Sequence, residues 1–233
     1  LFLLLASLLS SLATFSLPPS VSANGSFTLD DLIGRIERKY ATIDTFHASF
    51  VQSSVIRALD KVERATGEVW FKKPYKMRWN YYTPFRDQIV SDGVSFWYYN
   101  HDERQVVLSS LGDVLKRRTT TTLLQGLERA KERFTYRFPA RGSRDEDGNW
   151  LIELEPKGAD VNGDEINRFV IAVAPSDWVV RKIFLYDPFG NETVIEFNDI
   201  EVNGKVRDSI FKFTVPRGVE LIRAPSADGA KKR

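Results

Sequence analysis

The sequence predicts a mainly β protein of about 10–11 antiparallel strands with a few short helices, a sheet that either closes into a barrel, pairs with another or wraps around a filling element. Three observations lead there. Residues 67–100 hold short runs dense in Trp, Tyr and Phe, separated by the turn signals Lys73-Pro74, Thr83-Pro84 and Asp92-Gly93. Strand-like segments recur on both sides of a single break in rhythm at residues 111–132. Apolar helical pieces are few, one at the start and one in that break, which suits them to fill the hollow of a curled sheet.

In chain order, Thr28 is placed as an N-cap with Asp31 three residues on. Leu29, Leu32, Ile33, Ile36 and Tyr40 follow at helical spacing, giving an amphipathic helix that ends near Ile43. From Thr45 to Arg57 the period becomes two, with Phe46, Ala48 and Phe50 on one face and His47, Ser49 and Val51 on the other. Further strands are expected over 62–72, 77–82, 86–91, 94–100 and 104–109, joined by turns short enough to force hairpins. Residues 111–132 contain Gly112, a Thr run at 119–122, and Leu123, Leu124 and Leu127. They read as a covering loop with one or two short helices. Strands resume over 134–139, 150–155, 166–174, 178–186 and 192–200, divided by Asp147-Gly148-Asn149, Asn162-Gly163, Pro175-Ser176-Asp177 and Phe189-Gly190-Asn191. The chain past Leu221 reads as loose, and the terminal Lys231-Lys232-Arg233 as a tail without a partner.

Residues 1–22 carry no charge, are rich in Leu, Ser and Ala, and lead into Val21-Ser22-Ala23, a small-x-small site. Pro18-Pro19 interrupts the apolar run before it reaches the ~20 residues of a membrane span. The expectation is a signal peptide at 1–23, cut after Ala23, with the given chain starting inside the natural signal, and one domain over 24–233. An exported chain with no cysteine must hold its fold by burial and sheet hydrogen bonds. It also lacks the cysteine that a bacterial lipoprotein needs after its cleavage site.

Composition narrows the function classes. The chain has 233 residues, 42% of them hydrophobic, which is enough for a sizeable core. With 33 basic and 31 acidic residues the net charge is +2, and nothing points to nucleic acid as a partner. His47 and His101 lack metal-ligand spacing, so no metal site and no cofactor are expected. No Gly-x-Ser-x-Gly elbow, phosphate loop, dinucleotide fingerprint or His-Glu-x-x-His occurs. A pair among the 31 acids converging in a cleft stays open as a hydrolase reading, and it requires buried acids of raised pKa in the concavity.

Residue order carries more than any single motif. An aliphatic-aromatic strand leads into Lys72-Lys73-Pro74, then Met77-Arg78-Trp79, a Pro turn, Ile89-Val90-Ser91-Asp92-Gly93 and Phe96-Trp97-Tyr98-Tyr99-Asn100. Thr45-Phe46-His47-Ala48-Ser49-Phe50-Val51-Gln52 precedes this block, and Phe211-Lys212-Phe213-Thr214-Val215-Pro216-Arg217-Gly218-Val219 closes the pattern. In this order they resemble the LolA family, periplasmic carriers of outer-membrane lipoproteins.

The resemblance implies an unclosed barrel with a helical lid and an apolar interior that takes up acyl chains, without catalysis or cofactor. Implied partners are acylated lipoprotein cargo, an inner-membrane lipoprotein-releasing ABC complex and an outer-membrane receptor, LolB or an equivalent. LolB is itself a lipoprotein, and this cysteine-free chain is expected not to be. A monomer in the periplasm is expected, with a related sensor of lipoprotein or another apolar ligand as the alternative. Phe50, Trp79 and Tyr81 would line the concave face, and Leu32, Ile33, Ile36, Leu123, Leu124 and Leu127 would face them from the lid. Lys73 stands where the family commonly has a lid-latching arginine, so a latch that is looser or absent is expected. Met77 falls where an exposed aromatic typically contacts the release complex.

Overall fold

The computed structural model describes residues 28–115, 123, 124, 126–157 and 168–225. The leader reading at 1–23, the Thr run at 119–122, the Asn162-Gly163 turn and the basic tail lie outside the described residues. Helix α1 (Leu29–Ala41) precedes strands β1 (Thr45–Ile56), β2 (Lys61–Lys72), β3 (Lys76–Thr83), β4 (Gln88–Asp92), β5 (Ser95–Asn100) and β6 (Gln105–Ser110). A short α2 (Leu111–Leu115) follows. Helical residues at Leu123 and Leu124, a 3-10 turn at Leu127–Arg129 and α3 (Ala130–Arg133) then lead into β7 (Phe134–Arg137). Strands β8 (Trp150–Pro156), β9 (Arg168–Val173), β10 (Val180–Tyr186) and β11 (Glu192–Val202), a 3-10 turn at Asp208–Phe211 and β12 (Glu220–Arg223) complete the order.

All 12 strands join one sheet, ordered β12-β6-β5-β4-β3-β2-β1-β11-β10-β9-β8-β7. Two meanders, each built of sequential hairpins, are joined where β1 pairs with β11, and the end strands β7 and β12 do not pair with each other. The sheet is curved and unclosed. The sequence suggests one strand fewer, and the addition is β12. Residues 220–223 run parallel to β6, so the stretch past Leu221 that reads as loose is a short edge strand.

α1 starts where Thr28 and Asp31 complete a capping box: Asp31 N donates to Thr28 Oγ1 at 3.1 Å and Thr28 N to Asp31 Oδ2 at 3.2 Å. Asp30 and Asp31 in its first turn and Arg38 and Lys39 in its last complement the helix dipole. Leu32, Ile33, Ile36 and Tyr40 are buried against the sheet. Tyr40 Oη accepts from Val180 N at 3.2 Å and pins the helix to β10, and burial pushes its phenol well up.

Period-two alternation sends one side of most strands to the hollow and the other outward. Strand β9 departs from this, with five consecutive buried residues after Arg168. Phe169, Ile171 and Val173 face the main core, whereas Val170 and Ala172 pack on the convex side with Leu151, Phe184 and Tyr186. Arg141 lies over Phe184 at 4.1 Å and Arg168 over Tyr186 at 4.0 Å, covering that outer cluster with guanidinium planes.

The C-terminal segment crosses the convex face of the other meander. Phe211 is buried, Phe213 meets Trp97 and Tyr99 at 6.0 and 6.1 Å, and Arg78 donates to Ile210 O at 3.1 Å. Asp208 receives Lys72 Nζ at 2.7 Å and Lys76 Nζ at 2.9 Å.

Candidate functional site

Register decides which side chains share the hollow. Phe46 pairs with Phe71 and Phe71 with Met77; Ala48 pairs with Val69 and Val69 with Trp79; Phe50 pairs with Gly67 and Gly67 with Tyr81. Directly opposed residues of antiparallel strands lie on one face, so Phe50, Trp79 and Tyr81 all look inward. Rings of Phe50 and Trp79 are centred 4.8 Å apart and those of Phe50 and Tyr81 5.2 Å apart, with Phe197 of β11 meeting Trp79 at 6.2 Å. Gly67 makes this possible. A Cβ there would stand 2.0 Å from Asn80 O and 2.7 Å from the Phe50 ring, so only a bare backbone lets that ring lie flat on β2.

The second meander supplies the rest of the interior through Ile195, Ile183, Ile171, Ile152 and Leu154, all buried. The isoleucines at 195, 183, 171 and 152 sit opposite one another on successive strands and form a row across the sheet. Sequence reasoning did not single them out. The apolar run of residues 169–174 was the available signal, because burial of both faces erases alternation.

Leu32, Ile33 and Ile36 of α1 and Leu123 and Leu127 of the covering segment are 0–1% exposed in the same cluster, with Leu124 partly buried beside them. The expected strand and lid residues are therefore brought together in one interior. The cover is tied to α1 at its edge. Lys131 Nζ reaches Asp30 Oδ2 at 2.6 Å, Lys131 N donates to Glu37 Oε1 at 2.8 Å, and Tyr136 Oη donates to Asp30 Oδ1 at 2.5 Å. The bonds from Lys131 and Tyr136 hold the Asp30 carboxyl below its usual range.

Lys73 sits at the other end of this cover. Its Nζ donates to Tyr40 O at 2.9 Å and Ala41 O at 3.3 Å, the last carbonyls of α1, and pairs with Glu128 Oε2 at 2.8 Å in the 3-10 turn. An ammonium lacks the guanidinium fork, but its three protons suffice for three acceptors. Glu128, the partner that spans helix and turn, was not foreseen. Around this contact lies a cavity of ≈ 170 Å³ lined by Tyr40, Ile43, Phe46, Phe71, Tyr75 and Leu124 among others. It is smaller than the roughly 300–1,000 Å³ of pockets that hold drug-sized ligands. With the cover in place the interior is mostly occupied by its own side chains.

Met77, expected at the surface as a partner contact, is 1% exposed and inward by register. Alternation from Trp79 to residue 77 puts it on the buried face, so it belongs to the interior wall and is not an exposed contact in this structure.

A second cleft, ≈ 490 Å³ and open to solvent, is lined by Tyr81, Phe85, Asp87, Ile89, Tyr98, Asn100, Asp102 and Glu103. Asp87, the buried acid here, accepts from Tyr98 Oη at 2.7 Å and His101 N at 3.1 Å, so two donors occupy its carboxylate oxygens. Burial and the Tyr98–Asp87 bond push that phenol up. Burial also raises Tyr81, to about 12. His47 stacks on Trp70 at 4.8 Å and meets Glu68 at 3.2 Å on the outer face, far in role from any ligand set. Among the described residues no cluster of His, Asp and Glu is arranged to hold a metal ion, and no helix is long and apolar enough to cross a membrane.

These features can be set beside known proteins. The protein from Nitrosospira multiformis named outer-membrane lipoprotein carrier protein is 30% identical over 191 residues, covering 82% of this chain and 87% of its own. One of the same name from Alkalilimnicola ehrlichii is 29% identical over 189 residues, with 81% and 82% covered. In fold, an uncharacterized conserved protein from Thermus thermophilus superposes with a TM-score of 0.52 at 13% identity, covering 84% of this chain and 98% of that one. The family model described as outer membrane lipoprotein carrier protein LolA matches residues 41–214, from the end of α1 through the C-terminal crossing segment, and the chain belongs to the LolA family.

Proposed function

We propose that this protein is a periplasmic chaperone that shields the acyl chains of lipoproteins on their way from the inner to the outer membrane. One observation carries the reading. From β3 to β7 the concave face carries one apolar cluster, and among the described residues what covers it beside α1 is a small separate unit that buries Leu123, Leu127 and Ala130 and is held by a few polar ties.

Magnitudes fit that task. Burial of Leu123 and Leu127 stabilises the closed cover by roughly 3–6 kcal/mol. Each acyl methylene moved from water to an apolar site is worth about 0.8 kcal/mol. About eight methylenes therefore offset the apolar seal, and one ordinary fatty chain exceeds it. Acyl chains entering beneath the cover take the place of the lid leucines against Phe50, Trp79 and Phe197. The transfer needs no bond made or broken, because cargo has only to be accepted from an inner-membrane releasing complex and yielded to an acceptor with a better site, LolB or an equivalent. Phe50, Trp79, Tyr81, Leu32, Ile33, Ile36, Leu123, Leu124 and Leu127 are the proposed lipid contacts and Lys73 the proposed latch.

The test is purification of the mature chain from periplasm, mass spectrometry of what accompanies it, and transfer of that cargo to an outer-membrane acceptor. Leu124→Glu is the informative variant. Leu124 is partly buried at the cavity, so a carboxylate there can still reach water, whereas Leu127→Glu would bury a charge and unfold the cover. Loss of lipoprotein from a folded Leu124→Glu protein supports the reading. Equal recovery from both proteins contradicts it, and cargo that binds but never transfers points to the sensor alternative.

A further inference from the structure

Trp79 is 4% exposed at the centre of the hollow, with Phe50, Phe71 and Phe197 around its ring. Its Nε1–H completes no hydrogen bond of good geometry although the Tyr81 phenol lies beside it, and it is the one buried polar side-chain atom so left among the described residues. Native interiors rarely leave such a donor unmet without a reason, since phenylalanine would fill much of the same space at lower cost. The surroundings change character next to it. On the same face β1 passes from Phe46, Ala48 and Phe50 to Gln52 and Ser54. Tyr81 Oη donates to Gln52 Oε1 at 3.0 Å, Gln52 Nε2 donates to Ser54 Oγ at 3.3 Å, and Ser54 and Thr193 share a hydroxyl contact at 3.0 Å. Tyr81 and Ile89, the latter paired with Trp79, open onto the ≈ 490 Å³ cleft. Thus an unused donor stands where an apolar wall gives way to a polar one with an exit to solvent.

We propose that Trp79 Nε1–H is the head-group contact of this hollow, donating to the carbonyl oxygen of an acyl ester or amide in the bound lipid anchor. This rests on the carrier reading and deepens it. Indole offers a donor and no acceptor, and an acyl carbonyl offers an acceptor and no donor, so the two are complementary. The chains then lie against Phe46, Phe50 and the lid leucines. The glyceryl linkage lies along Tyr81 and Gln52, and the following peptide leaves through the cleft lined by Phe85, Asp87 and Tyr98.

The experiment compares two synthetic lipopeptides with the same peptide and chain length. One carries two palmitoyl ester chains on its S-glyceryl cysteine, and its twin carries the same chains as ethers, without carbonyls. The full protein should bind the ester form about three- to tenfold more tightly, the worth of one hydrogen bond to a neutral acceptor. Trp79→Phe should abolish that preference, so that the variant binds the ester and ether forms equally. Equal binding of the twins by the unmodified protein overturns the proposal, as does a Trp79→Phe protein that keeps the preference. Should Trp79→Phe fail to fold, the twin comparison on the unmodified protein still decides. Binding of neither twin defeats the carrier reading itself and is thereby distinguishable. Dipalmitoylglycerol and its dialkyl ether identify the source. The same ester preference in this pair assigns the contact to any diacylglyceride, and a preference confined to the lipopeptides assigns it to the cysteine-linked anchor.

Discussion

Lys73→Met removes an ammonium and keeps a stem of similar length at the point where cover, helix and sheet meet. Three contacts are lost, to Tyr40 O, Ala41 O and Glu128. Both charged side chains are 39% exposed, so their ion pair is worth the ~0.2–1 kcal/mol of a solvent-screened pair. A cation at the terminal carbonyls of a helix adds about 0.3–1 kcal/mol. The helix-end contacts persist when the cover lifts away from α1, so only the Glu128 pair counts, about 0.6 kcal/mol or roughly a threefold rise in the fraction of molecules with the cover raised. The chain has no cysteine, so Leu127→Cys introduces a single thiol at a site that is 0% exposed. When closing outpaces labelling, the rate of reaction with a thiol reagent reports the open fraction. The Leu127→Cys protein carrying Lys73→Met should label about threefold faster than Leu127→Cys alone. Equal rates would refute the argument that Lys73 holds the cover shut.

Three further outcomes are expected. Phe50→Ala, at a ring 1% exposed between Trp79 and Tyr81, should cost about 3–5 kcal/mol in urea unfolding, and a cost below about 1 kcal/mol would mean that the hollow collapses to fill the gap. Gly67→Ala should destabilise by about 1–3 kcal/mol or more, since its methyl meets Asn80 O and the Phe50 ring; an unchanged melting temperature would show that β2 can shift at the Thr66/Gly67 irregularity without loss. Asp208 is held at about 2, below its ordinary 3.8, by hydrogen bonds from Lys72 and Lys76. A carboxyl with a depressed folded pKa contributes its full stabilisation above the unfolded value and loses it as pH falls through the folded one. Loss of the Lys72 and Lys76 contacts should therefore appear between about pH 4 and 2 as a shift of the nearby Ile210 amide in an NMR titration, and Asp208→Asn should remove that step. An acid step that persists in Asp208→Asn would assign it to another carboxyl.

Much of this architecture was legible in the chain because its signals are local. Thr28 and Asp31 announce the helix start, and the turn pairs at 73–74 and 92–93 set off strands whose alternation assigns Phe46, Ala48, Phe50, Trp79 and Tyr81 to one face. What escaped depends on contacts across long separations. β12 is four exposed residues that become a strand only by pairing with β6, more than 100 positions earlier, so no pattern within 220–223 distinguishes it from a tail. Glu128 meets Lys73 only because the cover folds back over the turn after β2. The burial of Met77 follows from the same alternation that places Trp79 inside, and the likeness to a surface aromatic pointed the other way. The orphaned indole of Trp79 has no trace in sequence, since a donor lacks a partner only when its whole surroundings are known.

The central claim is that fatty chains enter an apolar hollow that its own lid otherwise fills. Calorimetric titration of the mature protein with a diacylated peptide, and with the same peptide unacylated, over a range of temperatures tests it most directly. The account predicts saturation at one lipopeptide per protein with a negative heat capacity change, and no binding of the bare peptide. Equal binding of both peptides, or acylated binding with no change in heat capacity, would contradict it.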